Sequence, residues 1–134
     1  TCAELNSRFG ALVADHPLAR LEAMLAAHVD FVIASPGVPR ILFGELQRAG
    51  DTPTKAIVRD LMAGYRARVA RELSAARDVG EIASGTDVDA ATVMFLAMVQ
   101  GLVMQALAVD DFTAMPALAS RLFGLFRQGL GEVP

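Results

Sequence analysis

The chain has 134 residues, and surface scaling at this length buries about two-thirds of the unfolded surface, enough for one core and one domain. Hydrophobic residues make up 54% of it, more than a solvated monomer needs, so surplus apolar surface has to face a partner subunit, a ligand or a bilayer. Twelve basic against fifteen acidic residues give a net charge of −3, which excludes a dense basic face for a phosphate backbone, and one Cys with two His cannot build a disulfide framework or a zinc cluster.

The apolar spacing is helical nearly throughout and alternating β-branched runs are absent, so the expected fold class is all-α, with six helices. Cys2 near the terminus suits a reducing cytoplasm. A start at Thr1, without Met or a basic leader, carries no secretory signal and reads as a cut from something longer. The first helix covers residues 3–14, with Leu5, Phe9, Leu12 and Val13 on one face. Asp15-His16-Pro17 ends it, with His16 as a surface cap and Pro17 in the first turn of the second helix, where its missing N–H has no partner to lose. That helix, to about residue 34, carries Leu18, Leu21, Met24 or Leu25, His28, Phe31 and Val32.

Ser35-Pro36-Gly37-Val38-Pro39 punctuates the chain, and a short third helix follows to about residue 48 with Ile41, Leu42, Phe43 and Leu46. Thr52-Pro53 opens the fourth in cap-then-proline order. Val58, Met62, Tyr65, Val69, Leu73 and Ala76 then recur at steps of three and four opposite a charged side, over about 25 residues. Residues 80–86 read as a loop with Ile82 buried, and Asp87 as the next N-cap.

Residues 90–109 hold no charge, a run just long enough to cross hydrocarbon. Gln100, Gly101 and Gln105 inside it, and acidic flanks without basic or aromatic anchors, argue against a membrane and for a fifth helix buried on one face by the core and on the other by a second subunit. Asp110-Asp111 closes it. The sixth helix covers about 113–128, with Pro116 in its first turn and Leu118, Leu122, Leu125 and Phe126 as its apolar ridge.

Chemistry-bearing residues are few. His28 on an apolar stripe is either a core histidine bonded to a neighbour or a polar contact for a ligand, and no second metal ligand is spaced to join it. No Ser or Thr sits in a nucleophile motif and no Gly-rich phosphate loop follows a strand, so no catalytic residue, metal or cofactor is expected. Residues 46–57 superficially imitate a helix-turn-helix. The helix that follows is too long for a recognition helix and presents Ile57, Val58, Leu61 and Met62 instead of base-reading side chains. Six Met, with Phe31, Phe43, Phe95 and Tyr65, form either ordinary core or an adaptable pocket.

Taken in order, Leu-x-x-Met-Leu-x-x-His-x-x-Phe from residue 21, Ser-Pro-Gly from 35, Gly-Glu-Leu from 44, Gly80-Glu81-Ile82, Asp87-Val88-Asp89-Ala90-Ala91 and Val99-Gln100-Gly101-Leu102 resemble the C-terminal regulatory domain of tetracycline-repressor (TetR) family transcription regulators. The resemblance covers residues 1–134, with 1–14 similar to the helix that connects to the DNA-binding domain. The family's N-terminal helix-turn-helix is missing, so DNA would be contacted only through that domain. Such a domain senses a small hydrophobic effector and dimerises, and its parent is a bacterial regulator of repressor type.

The resemblance places the homodimer contact on the last two helices, packed as a four-helix bundle: Ala97, Gly101, Met104 and Ala108 on one, Leu118, Leu122, Leu125 and Phe126 on the other, with Gly101 allowing close approach. It places the effector among the earlier helices. There Met24, His28 and Phe31 share one face, Met62 and Tyr65 a second, and Phe95, Met98 and Leu102 a third, with Leu42 and Leu46 closing one end. The turn at 35–39 would let the short helix move as a lid. The alternative is an all-helical enzymatic or structural domain with a hydrophobic substrate cavity; a basic helix-turn-helix encoded just before Thr1 would decide between them.

Overall fold

The computed structural model describes residues 16–131, so the helix expected over 3–14 lies outside the described residues. Within them the chain forms five helices and no strand: α1 Pro17–Ala34, α2 Gly37–Leu46, α3 Pro53–Asp78, α4 Val88–Val109 and α5 Met115–Gly129. These are the second to sixth expected helices, and the all-α class holds.

Their starts follow local chemistry. Thr52 Oγ1 accepts a hydrogen bond from the Lys55 N–H at 3.1 Å, and Pro53 takes the first position of α3. Asp87 accepts from the Ala90 N–H at 3.1 Å, opening α4. His16 stands at the N-cap of α1 but its side chain makes no capping bond; Glu81, from the loop after α3, accepts instead from the Leu18 N–H at 3.4 Å. Val38 and Pro39, read as turn residues in the sequence, lie in the first turn of α2, because a φ fixed near −65° already suits a helix. α5 begins at Met115, since Thr113 is held in a turn by both its N–H and its hydroxyl donating to Asp111 Oδ1. Asp110 closes α4 in the left-handed region at φ 53°.

Four helices pack in a ring, α1 on α3, α3 on α4, α4 on α5 and α5 back on α1, while α2 leans on α3 alone among its stronger contacts. The core fills the ring. Leu18, Leu21, Met24, Leu25 and Val29 of α1 meet Val69, Leu73 and Ala76 of α3, Phe95, Val99 and Leu102 of α4, and Phe123 and Phe126 of α5. Ile82 plugs the end, buried as the sequence implies.

Two readings need correction. The core face of α5 is Met115, Ala119, Phe123 and Phe126; the ridge expected from the sequence lies beside it, with Leu118 and Leu122 partly buried and Leu125 65% exposed. Phe126, expected at a subunit contact, packs instead inside its own chain, 5.7 Å from the Phe95 ring and 5.9 Å from Phe123. α4 is long and apolar enough to cross a membrane by length and composition, yet one whole face of it, through Phe95, Val99, Leu102 and Ala106, is built into this core.

Candidate functional site

Between α1 and α2 the chain bends by 97°, and the wedge this opens against α3 and α4 is not filled. A cavity of about 140 Å³ remains there. Its walls come from four helices because each turns a different stripe toward the gap. α1 contributes His28, Phe31 and Val32, and α2 contributes Val38, Pro39, Leu42, Phe43 and Leu46. The first four turns of α3 give Val58, Leu61, Met62 and Tyr65, and the middle of α4 gives Leu96, Val99, Gln100 and Val103.

The electrostatics are simple. No lining side chain among the described residues carries a formal charge, and Gln100 is exposed. His28 meets the Tyr65 ring edge-on at 5.6 Å, and Tyr65 stacks on Phe95 at 6.4 Å. His28 Nδ1 and the Tyr65 hydroxyl oxygen are both withdrawn from solvent. Burial pushes the imidazole pKa down to about 4 and raises that of the phenol, because desolvation penalises whichever form is charged. Both side chains are therefore neutral at ordinary pH.

Of the expected effector contacts, His28, Phe31, Leu42, Leu46, Met62 and Tyr65 line this cavity. Met24, Phe95 and Leu102 lie in the solid core and Met98 packs against it. On α4 the difference is a rotation of about one residue, near 100°: Leu96, Val99 and Val103 face the gap where Phe95, Met98 and Leu102 were expected. The sequence reading missed them, along with Gln100, because a helix apolar all round marks no face. Val58 and Leu61 carried a signal, since Val58 belonged to the apolar stripe of α3 and Leu61 to the apolar residues at its start. Val32 and Phe43 sat on their helices' apolar runs without being assigned to a wall.

On the opposite side of α4, Ala90, Met94, Ala97, Met104 and Ala108 are exposed and Gly101 is half-buried, at alternating four- and three-residue spacing. With Leu118, Leu122 and Leu125 they leave an apolar surface that no other described residue covers. A Cβ added at Gly101 would meet nothing within 4 Å among the described residues. A second, surface groove of about 260 Å³ runs between α1 and α5, flanked by the Glu22 and Asp30 carboxylates. Among the described residues no three His, Cys, Asp or Glu side chains gather as metal ligands would.

Comparison with known proteins fits this architecture. The profile of the tetracyclin repressor-like C-terminal domain matches residues 43–122. No curated protein sequence matches the chain. Among solved structures, the fatty acid degradation regulator FadR from Bacillus halodurans superposes with a TM-score of 0.78 at 16% identity, over 96% of this chain and 68% of that one. The transcriptional regulator FadR from Bacillus subtilis, solved in complex with stearoyl-CoA, gives 0.78 at 16% identity over 96% and 67%. A tetR-family regulatory protein from Rhodococcus RHA1 gives 0.78 at 16% over 99% and 70%. At such identity the structural likeness is one of fold, while the profile match spans more than half the sequence, and the chain belongs to the tetracycline-repressor family as a C-terminal domain.

Proposed function

We propose that this domain senses a small hydrophobic effector, dimerises, and transmits effector binding to a DNA-binding domain of the same regulator, in the manner of a repressor. The observation that carries the reading is the uncharged cavity closed on one side by α2, the helix with the fewest buried residues. An effector that binds better to one arrangement of α2 than to another shifts the population between them, and helices that connect to the DNA-binding domain follow. An apolar ligand is the class common to this cavity and to the stearoyl chain in the Bacillus subtilis FadR complex. The reading is non-catalytic: the described lining offers no nucleophile next to a base, and His28 and Tyr65 are held neutral. DNA contact belongs to the separate N-terminal domain and the site of action to the cytoplasm.

The subunit contact is the exposed stripe of α4 with Leu118, Leu122 and Leu125 of α5, two helices from each protomer making a four-helix bundle. Gly101 lies midway along the α4 stripe, where close helix approach needs a missing side chain. A stable contact of this kind buries about 1,600 Å² in total.

Two measurements test the proposal. Sedimentation of the chain at micromolar concentration gives a dimer, and Leu122→Arg gives monomer or aggregate. A panel running from toluene, wholly apolar, to stearoyl-CoA, an apolar chain on a charged head, contains at least one compound that raises the melting temperature. A monomer removes the subunit assignment, and a panel without a single stabilising compound removes the effector assignment.

A further inference from the structure

We infer that the cavity is built for a compact, neutral aromatic molecule of about one ring. The inference rests on the effector reading and narrows it. Size comes first. A void of about 140 Å³ is close to the engineered cavity of about 150 Å³ that stays dry and binds benzene; a long acyl chain would be held only at one end. The walls supply the second argument. Phe31, Phe43, Tyr65 and His28 bring four rings from three helices onto one small space, and aromatic rings pack on one another edge-to-face or offset with a gain beyond their buried area. The His28–Tyr65 edge contact at 5.6 Å already has that geometry. Charge is the third. Among the described residues no cationic side chain faces the void, so a carboxylate or phosphate drawn inside would lose its water without gaining a partner.

α2 supplies the closure. Leu42 and Phe43 line the space from its α2 side, while the helix that carries them is tied down at its two ends, by an Arg40–Asp110 ion pair to the C-cap of α4 and by the Thr52 hydroxyl donating to Glu45. A ring-sized ligand needs this lid to open once and close over it, whereas a chain trailing into solvent would hold it ajar.

The experiment is a calorimetric and thermal-melt titration of the full 134-residue chain with toluene, benzoate and stearoyl-CoA. Toluene at about ten times its Kd raises the melting temperature by about 5 °C, while benzoate and stearoyl-CoA leave it unchanged. Val99→Phe and Leu42→Phe each fill the void and weaken toluene at least tenfold. Intermolecular NOEs from toluene to the Met62 methyl locate the ring in the unmodified chain, whether or not either variant folds. Binding of stearoyl-CoA without toluene overturns the compact-ring assignment and leaves the effector reading standing. Benzoate bound as well as toluene overturns neutrality. Toluene indifferent to both fillers, or giving no NOE to Met62, overturns the location, and silence from all three compounds overturns the inference and counts against the effector reading too.

Discussion

The side of the molecule around Phe95, Phe123 and Phe126 and the side around α2 are made of similar residues and packed to opposite ends. In the first, Phe95 and Phe123 are wholly buried and Phe126 nearly so, with ring centroids under 6 Å apart. In the second, only Pro39 of the ten residues of α2 is buried, Ile41 is 68% exposed, and a void remains under Leu42 and Phe43. Hydrophobicity does not separate them, since α2 is about as apolar as α1 and more so than α5. Neighbour number does. Each helix of the ring is gripped from two sides, α2 chiefly from one; of its end ties the Arg40–Asp110 pair is exposed and worth about 0–1 kcal/mol, and the Thr52–Glu45 hydrogen bond is half-buried. Elements that must move to admit a ligand come from the weakly held end of a structure.

The sharpest way to break this contrast is to delete one side chain on each side of it. Phe123→Ala removes a ring from a filled interior that cannot collapse around the loss, and should cost about 3–5 kcal/mol. Leu42→Ala removes atoms that already border empty space and solvent, and should cost roughly 1 kcal/mol while changing effector affinity. Urea denaturation of the two variants measures the difference. Equal costs would mean that the α2 side is packed as tightly as the ring.

His28 joins the two sides, packed on Tyr65, which in turn stacks on Phe95. Its pKa lies at about 4 in the folded chain against an ordinary 6.5. As pH falls below about 6.5 the unfolded chain takes up the proton first, so this contribution is complete above about 6.5 and is lost on the way down to about 4, at up to about 1.4 kcal/mol per pH unit. His28→Gln should flatten that part of the profile. Urea midpoints at about pH 7.5, 6 and 5 for both chains check it, and parallel slopes would mean that water reaches the ring.

What the sequence made legible was local chemistry and two-sided helices. Pro17, Thr52-Pro53 and Asp87 mark helix starts through groups within three residues of one another, and they fall where expected. α3 has a charged side, so its apolar stripe had to point inward, and Met62 and Tyr65 reach the cavity. α4 has no charged side. With no face excluded, spacing alone chose Phe95, Met98 and Leu102, while the packed chain turns Leu96, Val99 and Val103 to the void and keeps Phe95 for the rings of α5. Leu122 and Phe123 pose the same problem one residue apart: the partner helices, and not the period, decide which is inside.

The smallest expected effects test the exposed stripe of α4 by comparing two glycines. Gly64 in α3 and Gly101 in α4 are both helical, and an added Cβ meets nothing within 4 Å of either among the described residues. Helix propensity alone therefore predicts the same gain from alanine at both, about 1 kcal/mol or about 3–4 °C in melting temperature. Gly64 lies on the exposed face of α3, outside the proposed subunit contact, and Gly64→Ala should show that gain in full. Gly101 lies on the stripe where a second copy of α4 is expected, and a methyl group there separates two backbones that glycine lets approach. Gly101→Ala should therefore lower the melting temperature at high protein concentration and weaken self-association in sedimentation. On dilution toward monomer the loss should shrink, since the methyl then meets only solvent. Matching gains from both substitutions, with self-association unchanged, would mean that no close helix contact covers Gly101.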